Sequence, residues 1–261
     1  MIINYTLRKL KKLEKLMALK TKRTHDSLYL KESRYENTKE MFKFIFKNAF
    51  PKKNHHKIKN ENILDMGCAA GEFIYYLKKK LKEPNSIIGA DVRVDLLKKA
   101  SQNISDATFV KKSVLNKRSF RKKNFDKIFM IGVHPIFDSF EKCFSNLIEW
   151  TKKGGEVYVC DLFNIYPVDV ILRYKLSENY NSQTYENGWS IFSKESVSQF
   201  LKKNKRVENF SFTEFHMPFD LDINKKDTIR SWTFKNEQKK RIMTNGLSII
   251  QNQILLKIKL K

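Results

Sequence analysis

A run of small residues after an apolar stretch is the first feature that could do chemistry. Residues 67–71 read Gly-Cys-Ala-Ala-Gly and follow the mostly apolar residues 63–66, which predict a buried strand. Because glycine has no side chain, a ligand can approach the backbone amides of such a turn. Asp91 lies 20 residues after Gly71, at the tip of the next predicted strand, and a carboxylate there can accept both hydroxyls of a ribose. These residues predict a nucleoside-binding site.

The turn differs from the loops that hold phosphates. Its spacing is G-x-x-x-G, whereas dinucleotide-binding loops read G-x-G-x-x-G and P-loops contain a lysine. No basic residue lies within residues 67–71. The sequence therefore favours a nucleoside without phosphates over NAD or ATP.

His134 is the candidate general base. It follows the fourth predicted strand in the sequence Gly-Val-His-Pro. An imidazole titrates near neutral pH and can accept a proton from a substrate hydroxyl, although a loop histidine before proline can also serve only to bond backbone. Asp138, Asp161 and Asn164 come near the same edge and are further candidates for hydrogen bonds to a substrate.

The elements that must position these residues form an α/β pattern, because short apolar runs alternate with helical stretches. The predicted strands are 63–66, 87–92, 107–110, 125–131 and 157–163, and the predicted helices between them are 71–81, 94–103 and 140–152. The carboxyl ends of parallel strands meet at one edge of a sheet. The small-residue turn, Asp91 and His134 are therefore expected along that edge.

The chain continues on both sides of this pattern. In an N-terminal helical extension, 1–60, Thr6 could cap a basic amphipathic helix over 6–20, a second helix is predicted over 37–49, and 52–60 is a polar linker. Beyond the fifth strand, we predict a helix over 193–203 capped by Ser193 and strands over 210–215, 229–234 and 254–260. The extension is therefore expected to precede one domain, 61–261.

Together these residues resemble the cofactor-binding signature of class I S-adenosylmethionine-dependent methyltransferases. The sequence Phe125-Asp126-Lys127-Ile128 is similar to the fourth strand of that family, and Lys153-Gly154-Gly155 is similar to the turn before its fifth. The resemblance implies a Rossmann-like, doubly wound sheet of seven mostly parallel strands with an antiparallel last strand, an N-terminal helical cover and a C-terminal β lid insertion. It also implies S-adenosyl-L-methionine as cofactor and S-adenosyl-L-homocysteine as product.

The resemblance assigns cofactor contacts to specific positions. They are Asp65, Gly67, Cys68, Ala69, Gly71, Asp91, Val92, Ser113, Val114 and Ile131. Ala69 stands where glycine is commoner in the family, a departure that is tolerated if the turn keeps a negative φ there. Ser113 stands where many members have an aspartate against the adenine amino group, and its hydroxyl can still make one hydrogen bond.

The same resemblance places an acceptor-binding lid in two insertions, 165–192 and 216–250. The implied acceptor contacts are Asp138, Asn164, Arg173, Tyr174, Trp189, Arg230 and Trp232. Aromatic side chains with interspersed Arg and Asp can stack on and hydrogen-bond a sugar or a nucleotide, while Tyr174 and Trp232 could equally be core residues of the lid. We therefore predict methyl transfer to a small polar metabolite, with O-methylation of a sugar or sugar nucleotide as the first candidate.

Two signatures of nucleic-acid methylation are missing. After the fourth strand the chain reads Gly-Val-His-Pro, without the Asp or Asn followed by two prolines and an aromatic that clamps a base. Carbon-5 methylation of pyrimidines needs a cysteine nucleophile at that edge, and Cys143 falls inside a predicted helix instead. RNA methylation and a catalytically silent cofactor-binding subunit remain alternatives.

The charge of the chain keeps RNA methylation among the alternative functions. The 52 Lys and Arg against 28 Asp and Glu give a formal net charge of +24, which can attract nucleic acid, an anionic membrane or an anionic small acceptor. Only ten of these residues are Arg, and Lys lacks the planar fork that binds phosphate bidentately. The basic helix over 6–20 could bind a membrane surface or RNA, cover its own domain, or join two subunits of a homodimer.

Composition limits the remaining classes. The longest uncharged run, 242–256, has 15 residues and includes Asn and Gln, short of the roughly 18 apolar residues of a membrane span. The N-terminus lacks the apolar core of a secretory signal, so a cytoplasmic location is expected. Cys68, Cys143 and Cys160 are widely spaced, which predicts reduced thiols rather than a disulfide framework or a metal site.

Overall fold

A computed structural model describes residues 24–51, 61–81 and 86–261 of the chain. The predicted helix over 6–20, and with it the proposed membrane, RNA and dimer contacts of that helix, lies outside these residues. The predicted linker over 52–60 does as well.

The described residues form helices and strands in alternation. The α-helices are α1 (Leu28–Lys31), α2 (Glu40–Ala49), α3 (Glu72–Lys80), α4 (Val94–Asn103), α5 (Glu141–Trp150) and α6 (Lys194–Lys203). The strands are β1 (Asn62–Met66), β2 (Ser86–Asp91), β3 (Thr108–Lys111), β4 (Phe125–Ile131), β5 (Thr151–Asn164), β6 (Arg173–Tyr174), β7 (Glu186–Asn187), β8 (Phe192–Ser193), β9 (Val207–Glu214), β10 (Trp232–Lys235), β11 (Arg241–Thr244) and β12 (Gln253–Leu260). Short 3-10 turns occupy Thr24–Ser27, His134–Ile136 and Ser177–Asn179.

The main sheet has the strand order β3-β2-β1-β4-β5-β12-β9, with the two-residue β8 beside β5. Strands β1 to β5 pair in parallel, and β12 is antiparallel to both β5 and β9. The predicted Rossmann-like fold, with a mostly parallel sheet and an antiparallel last strand, is confirmed. Its carboxyl edge gathers the ends of β1, β2, β3, β4 and β5.

The central strands are apolar on both faces because helices cover both faces. One core cluster centres on Trp150 and Phe144 of α5, and the other contains Ile45 of α2 and Leu77 of α3. Between the layers, Phe129 of β4 stacks on Tyr158 of β5 at 5.2 Å between ring centroids. This packing fixes the carboxyl edge as a rigid frame.

Four boundary predictions need correction. The strand predicted over 157–163 begins at Thr151, and the strand predicted over 210–215 begins at Val207. The helix predicted over 37–49 begins at Glu40, because Lys39 takes an extended ψ of 136°. The strand predicted over 229–234 is instead β10, which starts at Trp232 and forms a hairpin with β11. A turn precedes it, closed by the bond from Arg230 N to Asp227 O. The predicted cap of α6 is confirmed, since the Ser193 hydroxyl accepts the Ser196 amide.

The two insertions follow from this topology. Residues 165–191 leave the carboxyl end of β5, and residues 215–252 connect the carboxyl end of β9 to the start of β12. Both therefore begin at the edge where β1 and β2 end. None of the helices in the described part of the chain is long and apolar enough to cross a membrane.

Candidate functional site

The small-residue turn between β1 and α3 requires glycine at two positions. Gly67 has a φ of +82° and Gly71 a φ of +80°, in the left-handed region that glycine adopts without strain. A Cβ on Gly67 would collide with the Val133 side chain, and one on Gly71 would lie 2.9 Å from Ile104 Cδ1. Both positions therefore require glycine, because of the backbone conformation and because the turn packs closely against neighbouring side chains.

Ala69 departs from our expectation. Its φ is +47°, whereas we expected a negative φ at this position. A left-handed alanine costs roughly 1–2 kcal/mol because its Cβ approaches the following carbonyl. The amide of Ala69 donates to Asp91 Oδ2 at 3.0 Å, so the strained backbone is held by the residue expected to bind ribose.

Asp91 joins the turn to the tip of β2. Besides the Ala69 amide, it accepts the Arg93 amide on Oδ1 at 2.9 Å. Burial raises its pKa, and the backbone hydrogen bonds only partly oppose that effect. Each carboxylate oxygen can accept more than one hydrogen bond, so both can still receive the hydroxyls of a ribose.

Asp65 places a second carboxyl behind the turn. Its side chain is only 2% exposed, and burial, followed by the charge of Asp91, raises its pKa to about 8. The same two carboxyls, after burial, raise the pKa of the neighbouring Cys68 thiol, which is therefore unreactive at neutral pH. Asp65 is therefore largely protonated at neutral pH in the folded chain, and a positively charged ligand beside it would favour its charged form.

The other predicted cofactor residues surround the same tips. Val92 is 56% exposed directly after Asp91, and Ile131 is half-buried at the end of β4. The Ser113 hydroxyl, after β3, accepts the Leu115 amide at 3.2 Å and keeps its proton for a further bond. The Val114 side chain is buried in the core.

A residue that sequence reasoning missed also touches the turn. The Tyr35 hydroxyl donates to Ala70 O at 2.8 Å. Nearby, the Arg34 amide donates to Glu72 Oε1 at 3.2 Å, and Lys39 Nζ lies 3.2 Å from Glu72 Oε2. Residues 32–39, called here the N-terminal strap, therefore lie against the turn. No sequence pattern signals these contacts, because the partners are more than 30 residues apart.

His134 is not placed as a general base. The side chain is 0% exposed and packs against the rings of Phe144, Phe163 and Phe192. Its Nδ1 lies 3.3 Å from Asp161 Oδ2 on the neighbouring strand. Because a general base must reach the proton that it removes, this enclosed position does not support the assignment of His134. Among the described residues, both ring nitrogens of His134 and Asp161 Oδ2 are buried without a hydrogen bond.

Four predicted acceptor residues lie in the first insertion or near the strand ends beside it. Arg173 forms an ion pair with Asp138, whose side chain is 64% exposed. Tyr174 is buried, with its hydroxyl 3.1 Å from Glu186 Oε2. Asn164 is used locally instead: its Oδ1 accepts the Tyr166 amide, and its Nδ2 donates to Val168 O. Of these, Asp138 and Arg173 present charge to solvent.

Three further predicted acceptor residues lie in the two insertions, one in the first and two in the second. Trp189 has a positive φ of +65° beside Gly188, and Trp232 lies half-buried in β10. Arg230 pairs with Glu32 of the N-terminal strap and, at 3.3 Å, with Asp227 Oδ2. The described contacts of Arg230 therefore link the second insertion to the strap.

The first insertion exposes apolar side chains that the sequence reading did not single out. Ile165, Tyr166, Val168 and Ile171 are each 47% exposed or more, directly after β5. Exposed apolar groups at a sheet edge that also holds a binding cleft are a common feature of ligand sites. Their signal in the sequence is an apolar run that continues past the end of a predicted strand.

Comparisons with known proteins agree with this geometry. A family model described as "Methyltransferase domain" matches residues 57–214. The fold is similar to that of the YcgJ protein from Bacillus subtilis, with a TM-score of 0.57 and 15% identity over 85% of this chain and 99% of that one. It is also similar to a SAM-dependent methyltransferase from Archaeoglobus fulgidus, with a TM-score of 0.53 and 16% identity over 90% of this chain and 99% of that one. No curated protein matches the chain.

The site and the family agree on the cofactor. S-adenosyl-L-methionine carries a ribose, which fits the Asp91 carboxylate, and positive charge, which would favour the charged form of Asp65. The family match covers more than half of the chain. The chain belongs to the class I S-adenosylmethionine-dependent methyltransferase family.

Proposed function

We propose that this methyltransferase acts on an oxygen of a small polar acceptor, with a sugar or sugar nucleotide as the first candidate. The observation that carries the methyl-transfer part is the contact of Asp91 with Ala69 across a turn whose conformation requires Gly67 and Gly71. That arrangement puts a carboxylate that can accept ribose hydroxyls beside the backbone of a turn of small residues.

The donor supplies an electrophilic methyl group, so transfer breaks a sulfur–carbon bond, forms an oxygen–carbon bond, leaves the donor as a neutral thioether and passes the hydroxyl proton to solvent. The contribution of the protein is alignment of the acceptor and exclusion of competing water. In the described residues, Asp138 and Arg173 offer an exposed carboxylate and guanidinium at the mouth of the first insertion. Such a pair can exchange its mutual contact for hydrogen bonds to sugar hydroxyls.

A nucleotide of RNA is the second candidate acceptor, and one observation favours it. The connection from β3 to β4 is densely basic and begins beside the tip of β2, where Asp91 lies. A sugar hydroxyl is present in both candidates, since each ribose of RNA carries a 2′-hydroxyl.

Titration with S-adenosyl-L-homocysteine tests the shared premise. Binding should stabilise the protein by about 2.7 kcal/mol when the ligand is at a hundred times its Kd. Asp91→Asn, which keeps the side-chain shape, should weaken binding by about tenfold or more, because an amide loses one acceptor and the charge. Asp95→Asn is the matched control, since Asp95 lies four residues away and pairs with Arg93. Equal binding by wild type and Asp91→Asn would remove the assignment.

A labelled-methyl assay then separates the acceptors. Transfer to a pool of sugar nucleotides supports the first candidate, and transfer to RNA supports the second. Binding of S-adenosyl-L-homocysteine without transfer to either pool would leave a cofactor-binding subunit and contradict both acceptor proposals.

A further inference from the structure

The connection between β3 and β4 concentrates positive charge. Residues 107–125 contain seven basic side chains and no acidic one. All seven are exposed. They are Lys111, Lys112, Lys117, Arg118, Arg121, Lys122 and Lys123, called here the basic connection.

This charge is not neutralised by neighbours within the part of the chain that the structure describes. Lys122 lies 3.1 Å from Glu149, an exposed pair. The other six have no ion pair with a described acidic residue. The acids that flank the segment are occupied elsewhere, because Asp106 pairs with Lys78 and Asp126 pairs with Lys152. The basic connection is therefore a surface of mostly unpaired positive charge. On binding a polyanion, such a surface releases the counterions that are condensed on the polyanion.

The backbone beneath this surface is fixed rather than loose. Asn146 Nδ2 donates to Val114 O at 2.7 Å, and Trp150 Nε1 donates to Lys117 O at 3.1 Å. Phe120 packs edge-on against Trp150 at 5.2 Å between centroids. The basic side chains thus project from a preorganised segment, which reduces the ordering cost of binding.

The surface starts at the cofactor cleft and runs down the side of the sheet. Lys111 is the register partner of Asp91, and the Lys112 amide donates to Asp91 O at 3.0 Å. At the other end, the Lys123 amide donates to Glu149 O, next to the start of β4. The connection therefore spans the length of β4, about 20 Å at 3.3 Å per residue. That distance accommodates several consecutive phosphates.

The apolar residues of the connection argue against a membrane as the partner. Val114 is buried, and Leu115 and Phe120 are half-buried. Peripheral membrane segments combine basic residues with exposed apolar ones that enter the lipid. The basic connection has only the charged half of that combination.

We propose that the basic connection binds the phosphate backbone of single-stranded RNA and so presents a ribose hydroxyl to the methyl donor. This inference rests on the second candidate of the proposed function, in which RNA carries the acceptor sugar. Binding of RNA is measured without turnover, however, and binding of S-adenosyl-L-homocysteine is measured without RNA. Failure of one leaves the other result intact.

The test compares two triple variants of the full chain that remove the same charge. The first is Lys117→Gln, Arg118→Gln and Arg121→Gln in the basic connection, where only backbone atoms of Lys117 and Arg118 make described hydrogen bonds. The control is Lys202→Gln, Lys203→Gln and Lys205→Gln at the end of α6, which are also exposed. The probe is a fluorescent single-stranded RNA of about 20 nucleotides, longer than the site sizes of single-stranded binders, followed by anisotropy over a range of KCl concentrations.

The first variant should lose about tenfold or more in affinity and lower the salt slope by about 2, at roughly 0.7 for each phosphate contact removed. The control should change affinity by less than about twofold, and both variants should bind S-adenosyl-L-homocysteine like wild type. Equal losses in the two variants would assign binding to overall charge and overturn the proposal. Absence of RNA binding by wild type, or binding to phosphatidylserine vesicles that depends on the same three residues, would overturn it as well.

Discussion

Ala69 shows how one backbone angle couples strain to binding. Its positive φ lets its amide point at Asp91, and the glycine that is commoner in the resembling family would do so without strain. The chain therefore keeps a strained residue at the centre of its cofactor turn.

Replacement of Ala69 by glycine should stabilise the protein. Relief of the left-handed strain is partly offset by the entropy that glycine loses on folding, which leaves a gain of about 0.5–1 kcal/mol. Urea unfolding measures it. Ala70→Gly is the control, because Ala70 is 1% exposed with an ordinary φ, and that variant should be destabilised. A loss of stability in Ala69→Gly equal to that of the control would contradict the strain account.

At the scale of elements, the N-terminal strap and the second insertion meet through one ion pair. Glu32 of the strap contacts Arg230 of the insertion, and Lys99 of α4 donates to Leu30 O and Tyr29 O just before the strap. Burial raises the pKa of Glu32, but the hydrogen bonds and charges of Arg230 and Arg34 outweigh it and leave that pKa lowered. The pair therefore joins the N-terminal strap to the second insertion.

Breaking this pair should loosen both elements together. Glu32→Gln should increase amide hydrogen exchange in residues 28–36 and in 227–233, with a coupling energy of about 0.5–1 kcal/mol for a partly exposed pair. Glu36→Gln is the matched control, because Glu36 is in the same strap but pairs with Lys79. The double reversal Glu32→Arg with Arg230→Glu should restore part of the protection. Increased exchange confined to the strap would show that the two elements are not coupled.

The elements that could be predicted from the sequence are those with a regularly repeating apolar pattern. Strands β1 to β4 and helices α3 to α6 came within a few residues of their observed bounds, because buried faces demand regular apolar spacing. Strand β5 begins six residues before its prediction, because residues 151–156 lack a continuous apolar run. The strands β6, β7 and β8 have two residues each, too few for any period. The enclosure of His134 depends on rings from three separate elements, and Arg230 meets a partner 198 residues away. Such contacts follow from tertiary packing and leave no local signal.

For the whole molecule, the carboxyls divide into two classes with opposite pH effects. Hydrogen bonds to basic side chains lower the pKa of Asp95 and Asp220, so these groups add stability that is lost as the pH falls. Burial raises the pKa of Asp65 and Asp91, so these groups reduce stability as the pH rises. Ionisation of these two buried carboxyls therefore lowers the stability of the folded protein.

Asp65→Asn should reveal this loss of stability in the free energy of unfolding. The Asp65 pKa is about 8 in the folded chain against an ordinary value of 3.8. Between these values the folded state holds a proton that the unfolded state has lost, so stability falls as pH rises through this window. The variant has no group at position 65 that titrates in this window. The difference in free energy of unfolding between variant and wild type should therefore increase across the window, by more than about 1 kcal/mol near its upper end. Below the ordinary pKa of Asp65 the difference between variant and wild type should no longer change with pH. Asp95→Asn, which removes a carboxyl of lowered pKa, should instead lose stability relative to wild type as the pH rises from acid. A difference between Asp65→Asn and wild type that does not vary with pH would mean that Asp65 stays charged in the folded chain, and the cleft would then hold two negative charges before any ligand enters.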